Sequence, residues 1–200
     1  MATCFCFDLD GTLTKQELLP LIAASVDLED EISVLTKATI DGFLPFDKSF
    51  KLRIRLLKDA PLNAIHQFVC NVECDEAILR FVQQNVADCY VVTGNLDIWI
   101  QPLLEQIGVE FFASKAKMDN GQLVGVEHVL HKGDAITELR QRYDNIIVIG
   151  EGMNDVPMFE LADWRIAYGG VHRPNGSLKE LSDFVVYDGE ALCRLLNMLS

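Results

Sequence analysis

The sequence is short of basic residues. It has 17 lysines and arginines against 30 aspartates and glutamates, which gives a formal net charge of −13. Nucleic-acid binding depends on Lys and Arg side chains that neutralise phosphates, so this balance argues against a nucleic-acid partner. A small anionic substrate would also need a local cation, either a metal ion or a well-placed Lys or Arg.

Long apolar runs are missing as well. No stretch approaches the roughly 20 apolar residues that cross a bilayer, so we expect no membrane span. No basic region followed by an apolar stretch stands at the N-terminus, so we expect no signal peptide and a cytoplasmic protein. The six cysteines show no zinc-site spacing. We expect them to be small buried side chains in a reducing compartment.

Short apolar segments alternate with helical patterns over much of the chain. The apolar segments are residues 3–7, 89–92, 145–149, 165–168 and 184–187. This alternation predicts an α/β fold with a doubly wound, Rossmann-like parallel sheet. Between residues 109 and 130 the turn dipeptide Asn120-Gly121 indicates a pair of small strands.

The region from residue 15 to residue 85 differs, because it shows helical patterns and no strand pattern. Within it, Phe46, Phe50, Ile54 and Leu57 fall on one helical face. We therefore expect residues 15–85 to form a small helical cap, inserted into an α/β core made of residues 1–14 and 86–200.

Polar segments follow three of the apolar strands, and a lysine opens a later helix. They are Asp8 and Asp10, Thr93-Gly94, Glu151 and Asp155, and Lys132. In open parallel sheets ligands bind beyond the carboxyl ends of the strands, so we expect these residues to meet in one crevice.

Each of these residues also has an ordinary structural interpretation. Asp10 or Asp155 would cap a following helix, Thr93 would be a helix cap, and Lys132 would be a surface lysine. Together, however, they supply the parts of phosphoryl transfer: an attacking carboxylate, an acid/base carboxylate, acidic ligands for Mg²⁺, and groups that neutralise phosphate.

The ordered segments also resemble the motifs of a known family. Asp8-Leu9-Asp10-Gly11-Thr12-Leu13-Thr14, then Thr93-Gly94, Lys132 and Gly150-Glu151-Gly152-x-Asn154-Asp155, resemble the four motifs of the haloacid dehalogenase-like phosphohydrolases. The resemblance implies Asp8 as nucleophile and Asp10 as general acid/base. It implies Thr93, Gly94 and Lys132 as phosphate ligands. Mg²⁺ would be bound by Asp8, the backbone carbonyl of Asp10 and Glu151, with Asp155 in support.

One residue departs from the family pattern. The last motif of the family usually begins Gly-Asp-Gly, and Glu151 replaces that Asp. Glutamate keeps the charge and adds a methylene, which would shift the metal ion by about an ångström. A misplacement of about 1 Å costs on the order of a hundredfold in rate, so we expect weak activity or an altered metal preference.

The helical insert resembles the cap of the phosphoserine phosphatases. This resemblance implies that Glu17 meets a substrate ammonium, Arg53 binds a substrate carboxylate, and Phe46 shields the site. The alternatives are a first-turn helix acid for Glu17 and a surface ion pair for Arg53. Asn95 stands where those enzymes usually carry a second glycine, and we expect it to crowd the substrate.

The function expected from the sequence is therefore a Mg²⁺-dependent phosphomonoester hydrolase that acts through an aspartyl-phosphate, with phosphoserine as substrate and serine biosynthesis as its setting. One alternative is a phosphatase for another small phosphometabolite, because the fold does not determine the substrate. Another is a low-turnover regulatory or binding module with the same fold. The expected partner is a small phosphorylated metabolite, and the expected state is a monomer or homodimer.

Overall fold

A mixed seven-stranded sheet organises the part of the chain that the computed structural model describes, residues 2–200. Its strands are β1 (Thr3–Phe7), β2 (Cys89–Leu96), β3 (Glu110–Asp119), β4 (Gln122–His128), β5 (Asn145–Gly150), β6 (Trp164–Tyr168) and β7 (Phe184–Val186). Their order is β4-β3-β2-β1-β5-β6-β7, parallel throughout except for the antiparallel β3–β4 pair. The predicted α/β class and doubly wound parallel sheet are confirmed.

Helices fill the segments between the strands. They are α1 (Leu18–Ala23), α2 (Glu29–Ile40), α3 (Phe46–Leu57), α4 (Leu62–Cys70), α5 (Glu76–Gln84), α6 (Asp97–Ile107), α7 (Lys132–Leu139), α8 (Val156–Phe159), α9 (Gly176–Leu181) and α10 (Gly189–Leu199). Among residues 2–200, no helix has the length and apolar character needed to cross a membrane.

The central strand β1 supplies apolar side chains to both faces of the sheet, because successive side chains of a strand alternate. Phe5 and Phe7 belong to one hydrophobic cluster, and Cys4 and Cys6 belong to the other. All four are buried. Burial on both faces explains why the strand reads as a continuous apolar run in the sequence.

Helix α5 packs on the sheet, although the sequence placed it in the cap. The Phe81 ring of α5 meets the Phe5 ring edge to face, with 5.0 Å between the centroids. The segment that leads into α1 and the segment that leaves α4 lie side by side, since Thr14 and Cys74 form an isolated β-bridge. We therefore propose that the cap ends at this bridge, before α5, and not at residue 85.

The cap helices lie over the end of the sheet where β1 and β2 finish. On α3 the predicted apolar face is present: Phe50, Ile54 and Leu57 are buried. Phe46 begins this helix and stacks on Phe50, with 5.3 Å between the ring centroids. Phe46 lies at the N-terminal end of this apolar face, where its ring contacts the core.

Candidate active site

The site begins where the central strand ends. Phe7 pairs with Val91 of β2 on one side and with Ile149 of β5 on the other. β1 and β5 therefore end side by side directly after Phe7, and β2 runs beside them and continues to Leu96. The backbone N–H of Asp8 donates to the carbonyl of Ile149 at 2.9 Å, which places the Asp8 side chain at this edge. The predicted convergence of the polar segments depends on this register.

A tight turn follows Asp8 and brings the next residues close to the loop that follows β5. Gly11 in this turn has φ of +68°. A Cβ atom there would lie 2.5 Å from Oε1 of Glu151, so the carboxylate packs directly on the glycine backbone. Glycine is required both for the left-handed conformation and for this close approach.

Lys132 joins the first and last acidic segments. Its Nζ lies 2.7 Å from Oδ1 of Asp8 and 2.6 Å from Oδ1 of Asp155, and all three side chains are buried. Burial by itself lowers the pKa of Lys132, but the charges of Asp155 and Asp8 outweigh it and raise the pKa above its ordinary value. Lys132 is therefore a permanent buried cation rather than a surface lysine.

Burial raises the pKa of Asp8 well above its ordinary value, and the charge of Asp155 adds to this effect, while Lys132 opposes it. Oδ1 of Asp8 accepts hydrogen bonds from Lys132 and from the backbone N–H of Leu9. No residue between 2 and 200 donates to Oδ2. That oxygen is the one left free for chemistry.

Asp155 is fully occupied by donors from the protein. Its Oδ2 accepts from the backbone N–H groups of Glu151 and Gly152, each at 2.9 Å, while Oδ1 faces Lys132. The side chain thus fixes the loop that carries Glu151. Direct binding of a metal ion by Asp155 stays a prediction. The geometry favours a supporting role, in which Asp155 holds the loop that carries Glu151.

Both oxygens of Asp10 are also held. Oδ1 accepts from the backbone N–H of Leu18 at 2.8 Å, and Oδ2 accepts from Nδ2 of Asn95 at 2.6 Å. The helix-cap alternative for Asp10 is thus partly realised, since Leu18 opens α1. Burial, followed by the charge of Glu17, raises the pKa of Asp10 to about 7. A carboxyl with a pKa near neutrality suits general acid/base catalysis.

The interpretation of Thr93 as a helix cap is wrong, because neither Thr93 nor Gly94 lies at a helix start. Both belong to β2, which continues to Leu96, and α6 begins only at Asp97. The Thr93 hydroxyl accepts from the backbone N–H of Asn95 at 3.2 Å. Both residues still reach the site, because β2 extends beyond the end of its neighbour β1.

Arg53 reaches the same site from the cap. It is 4% exposed, so the alternative of a surface ion pair is wrong. Its Nη1 donates to the Thr36 hydroxyl at 2.9 Å, and its Nε has no partner. Burial lowers the pKa of Arg53 to about 10, against the opposing effect of Glu17 and Asp10. The guanidinium is buried without a bonded carboxylate among residues 2–200 and is available to an anion.

Glu17 lies at the entrance to α1 and makes no cap hydrogen bond there. Its Oε1 is 3.4 Å from Nε2 of His172, which follows β6 in the core. The side-chain contact with Glu17 raises the pKa of His172, burial opposes this rise, and the charge of Glu17 adds to it. Sequence reasoning missed His172, because a lone histidine in a loop carries no motif signal.

Glu151 is 3% exposed, and its Oε2 has no hydrogen-bond partner among the described residues. Burial, followed by the charges of Glu17 and Asp8, raises the pKa of Glu151 to about 10. An unpaired buried carboxylate is costly unless a cation neutralises it. This orphaned oxygen belongs to a residue that lines the same cavity as Asp8, and it fits a hard divalent cation, which prefers oxygen ligands.

These side chains surround a small cavity, which we call the site cavity. It is lined by Asp8, Asp10, Glu17, Leu19, Thr36, Thr39, Ile40, Phe46, Phe50, Arg53, Thr93, Gly94, Asn95, Glu151 and Asn154. Its volume is about 50 Å³. Ligand pockets commonly measure about 300–1,000 Å³, so the site cavity is smaller than a typical ligand pocket.

A carboxylate with one free oxygen, a second carboxylate tuned for proton transfer, and a buried lysine thus meet at the carboxyl edge of a parallel sheet. The chain belongs to the haloacid dehalogenase-like hydrolase family, whose model matches residues 5–160. The resemblance inferred from the four motifs is confirmed at the level of this family.

Curated relatives are similar over most of the chain. The phosphoserine phosphatase of Methanocaldococcus jannaschii is 29% identical over 175 residues, which covers 81% of this chain and 83% of that protein. The phosphoserine phosphatase of Archaeoglobus fulgidus is 26% identical over 175 residues, and the match covers 51% of its length. The phosphoserine phosphatase of Lactococcus lactis is 24% identical and is covered over 81%.

Solved structures share the fold along the whole chain. A phosphoserine phosphatase solved as an analogue of its phospho-aspartyl intermediate has a TM-score of 0.82 and 26% identity, covering 100% of this chain and 99% of that one. A substrate-bound phosphoserine phosphatase has a TM-score of 0.86 at 24% identity, covering 100% and 98%. The second likeness concerns the fold alone.

Proposed function

We propose that this protein hydrolyses phosphoserine to serine and phosphate through an aspartyl-phosphate on Asp8. The observation that carries the proposal is the buried Arg53, whose guanidinium lines the same cavity as Asp8 without a bonded carboxylate. A substrate with a phosphate at one end and a carboxylate at the other would occupy both. The curated relatives named phosphoserine phosphatase support this substrate.

In the first step, Oδ2 of Asp8 would attack phosphorus and the P–O bond to the serine oxygen would break. Oδ1 is held by Lys132 and the Leu9 N–H, which keeps the carboxylate from turning away. The similar phosphoserine phosphatase solved as an analogue of its phospho-aspartyl intermediate supports a covalent route. The covalent intermediate splits one difficult displacement into two easier ones.

Asp10 would transfer the protons. It gives a proton to the departing serine oxygen in the first step and takes one from the attacking water in the second, so it ends the cycle in its starting state. Its pKa of about 7 in the folded protein makes both forms accessible near neutral pH. The hydrogen bonds to both of its oxygens keep the Asp10 carboxylate in one orientation.

Several groups would offset the charge of the phosphoryl group. Lys132, the Thr93 hydroxyl and the Gly94 N–H would bind its oxygens. Mg²⁺ would be held by Asp8, the backbone carbonyl of Asp10 and Glu151. When bound, it supplies positive charge that offsets the cluster of carboxylates and the phosphate. The unpaired Oε2 of Glu151 supports this assignment.

The cap would recognise the amino-acid part. The planar guanidinium of Arg53 suits a carboxylate, which it can bind through two parallel hydrogen bonds. Glu17 would meet the ammonium, and Phe46 would keep water from the phosphate. A cap that opens for entry and closes for chemistry follows from the small volume of the site cavity.

A second candidate substrate is a phosphorylated acid that has no ammonium group. It is favoured by the contact between Glu17 and His172, because His172 already provides a partner for the acid assigned to the ammonium. The non-catalytic alternative is a low-turnover regulatory or binding module.

A panel of four esters separates these possibilities: phosphoserine, phosphoethanolamine, which has no carboxylate, phosphoglycolate, which has no ammonium, and p-nitrophenyl phosphate. We expect the highest kcat/KM for phosphoserine, in the presence of Mg²⁺, and its loss with EDTA. Turnover of no ester would favour the low-turnover module. A preference for phosphoglycolate would favour the second candidate.

Two variants test the assigned roles. Asp8→Asn should abolish turnover of all four esters. Arg53→Ala should raise KM for phosphoserine and phosphoglycolate and leave KM for phosphoethanolamine unchanged. If the KM values for all three esters rose together, Arg53 would act through the shape of the cap and the carboxylate assignment would fail.

A further inference from the structure

We propose that Asn95 is a positioning residue for the general acid. Its side-chain amide holds the Asp10 carboxylate in the orientation from which it protonates the leaving oxygen. The proposal rests on the phosphomonoester hydrolysis proposed above. It replaces the expectation that Asn95 only crowds the substrate.

The hydrogen bonds of Asp10 come from two different parts of the molecule. Nδ2 of Asn95 lies 2.6 Å from Oδ2, and the N–H of Leu18 lies 2.8 Å from Oδ1. Leu18 begins α1 in the cap, whereas Asn95 belongs to β2 of the sheet. If the cap moves to admit substrate, the Leu18 contact moves with it. The bond from Asn95 is then the one that the core itself provides.

The orientation of the amide follows from chemistry. Turning it over would place the carbonyl oxygen of Asn95 against a carboxylate oxygen, and two acceptors repel unless one carries a proton. With the donor toward Asp10, Oδ1 of Asn95 is buried and has no partner. Folding alone gives no reason to bury an amide whose oxygen is unpaired, and such exceptions are found at functional sites.

Asn95 is also tied to the phosphate side of the cavity. Its backbone N–H donates to the Thr93 hydroxyl at 3.2 Å, and its side chain is 5% exposed and lines the site cavity. One residue thus connects a proposed phosphate ligand with the proposed general acid. A glycine at this position would supply no side-chain donor to Asp10.

The leaving group provides the test, because only a poor leaving group needs protonation. Serine leaves phosphoserine as an alkoxide unless Asp10 gives it a proton, whereas p-nitrophenolate is stable without one. The parameter to compare is kcat/KM, since it contains only the steps up to release of the alcohol. Slower hydrolysis of the aspartyl-phosphate therefore does not enter it.

Two variants separate the donor from its volume. Asn95→Ala removes both, and Asn95→Leu keeps a similar size while removing the N–H donor. In both we expect kcat/KM for phosphoserine to fall by about tenfold or more, with KM within about threefold, because a small displacement of a catalytic group is costly. For p-nitrophenyl phosphate we expect a change of no more than about threefold.

Ser114→Ala is the matched control. The Ser114 hydroxyl donates to the Gly94 carbonyl at 2.7 Å, so this change disturbs the same strand without touching Asp10. We expect any effect of the control to be equal for both esters. Equal losses with both esters in the Asn95 variants would overturn the proposal, as would wild-type kinetics in Asn95→Leu.

A crystal structure of Asn95→Ala gives a readout that needs no turnover. We expect the Asp10 carboxylate to leave its position or to occupy two rotamers. An unmoved Asp10 would overturn the proposal. If the wild-type protein hydrolysed no phosphomonoester, the proposed function would fail, and this structural result alone would decide whether Asn95 positions Asp10.

Discussion

Phe46 of the cap lies directly over Gly94 of the core, and the contact leaves no room for a Cβ atom at position 94. The ring is supported from behind by Phe50, on which it stacks at 5.3 Å. Gly94 is therefore needed less for backbone freedom than for the space above it. The position of Phe46 over the core depends on the missing side chain at Gly94.

Gly94→Ala should impair closure of the cap. The added methyl group would push Phe46 away, and we expect kcat/KM for phosphoserine to fall by about ten- to a hundredfold, as for other small displacements at a catalytic site. Gly125→Ala is the control, because nothing lies within 4 Å of a Cβ atom there. Steady-state kinetics of both variants provide the measurement. Unchanged kcat/KM in Gly94→Ala would show that the contact does not limit closure.

Lys132→Ala should cost stability as well as activity. It leaves Asp8 and Asp155 buried without their cation, and breaking a buried ion pair on one side costs about 3–5 kcal/mol. Urea unfolding at neutral pH measures the free energy of unfolding. Lys15→Ala is the control, since Lys15 makes an equally short 2.6 Å contact with Glu73 at the exposed surface. We expect no measurable loss there. Similar losses in both variants would contradict the buried-cation interpretation.

Glu151→Asp should change the metal preference of the enzyme. The glutamate carboxylate packs on the Gly11 backbone, and removal of one methylene would withdraw it toward the position of the family's usual aspartate. We expect the ratio of Mg²⁺-supported to Mn²⁺-supported kcat/KM to rise severalfold. Titration calorimetry of both ions with the metal-free protein checks the same point without turnover. An unchanged ratio together with unchanged affinities would show that the longer side chain already places the metal correctly.

The stability of the metal-free protein should depend on pH. The pKa of Glu151 is raised from 4.5 to about 10 in the folded state, so the folded protein binds a proton more tightly than the unfolded chain. The free energy of unfolding therefore falls as pH rises above 4.5, by at most about 1.4 kcal/mol per pH unit for one group.

Urea unfolding at pH 5.5 and pH 8 in EDTA, each repeated with Mg²⁺, would measure this dependence. We expect Mg²⁺ to raise stability most at pH 8. Glu151→Gln should make the EDTA profile less steep, because its amide does not titrate, while Asp8 and Asp10, whose pKa values are also raised, still contribute. An unchanged slope in Glu151→Gln would mean that Glu151 does not contribute to the pH dependence.

The sequence predicted the parts of the fold that depend on local composition. Cys89-Tyr90-Val91-Val92 and Ile146 to Ile149 read as buried strands because they are covered on both faces, and both are strands. The antiparallel pair around Asn120-Gly121 followed from its turn dipeptide, and β3 and β4 form it. The place of each strand in the sheet depends on pairing between distant segments, and composition does not record it.

Helix α5 is predicted in the cap by its local pattern and lies against the sheet in the structure. Its amphipathic sequence resembles that of the cap helices, and the contacts of Phe81 with Phe5 and Phe7 do not show in the local sequence. In the site, Asp8 and Lys132 were foreseeable from charge and motif. The bond from Asn95 to Asp10 was not, because it joins residues 85 positions apart and depends on the rotamers of both.

The central place of β1 governs how the chain must fold. β1 is made first, yet its partners on either side are β2, from residue 89, and β5, from residue 145. Such distant pairings are slow to form. During synthesis the apolar β1 therefore waits with an open edge until most of the protein has emerged. Asp8, the proposed nucleophile, directly follows β1, and the proposed site is complete only after Asp155 has been synthesised.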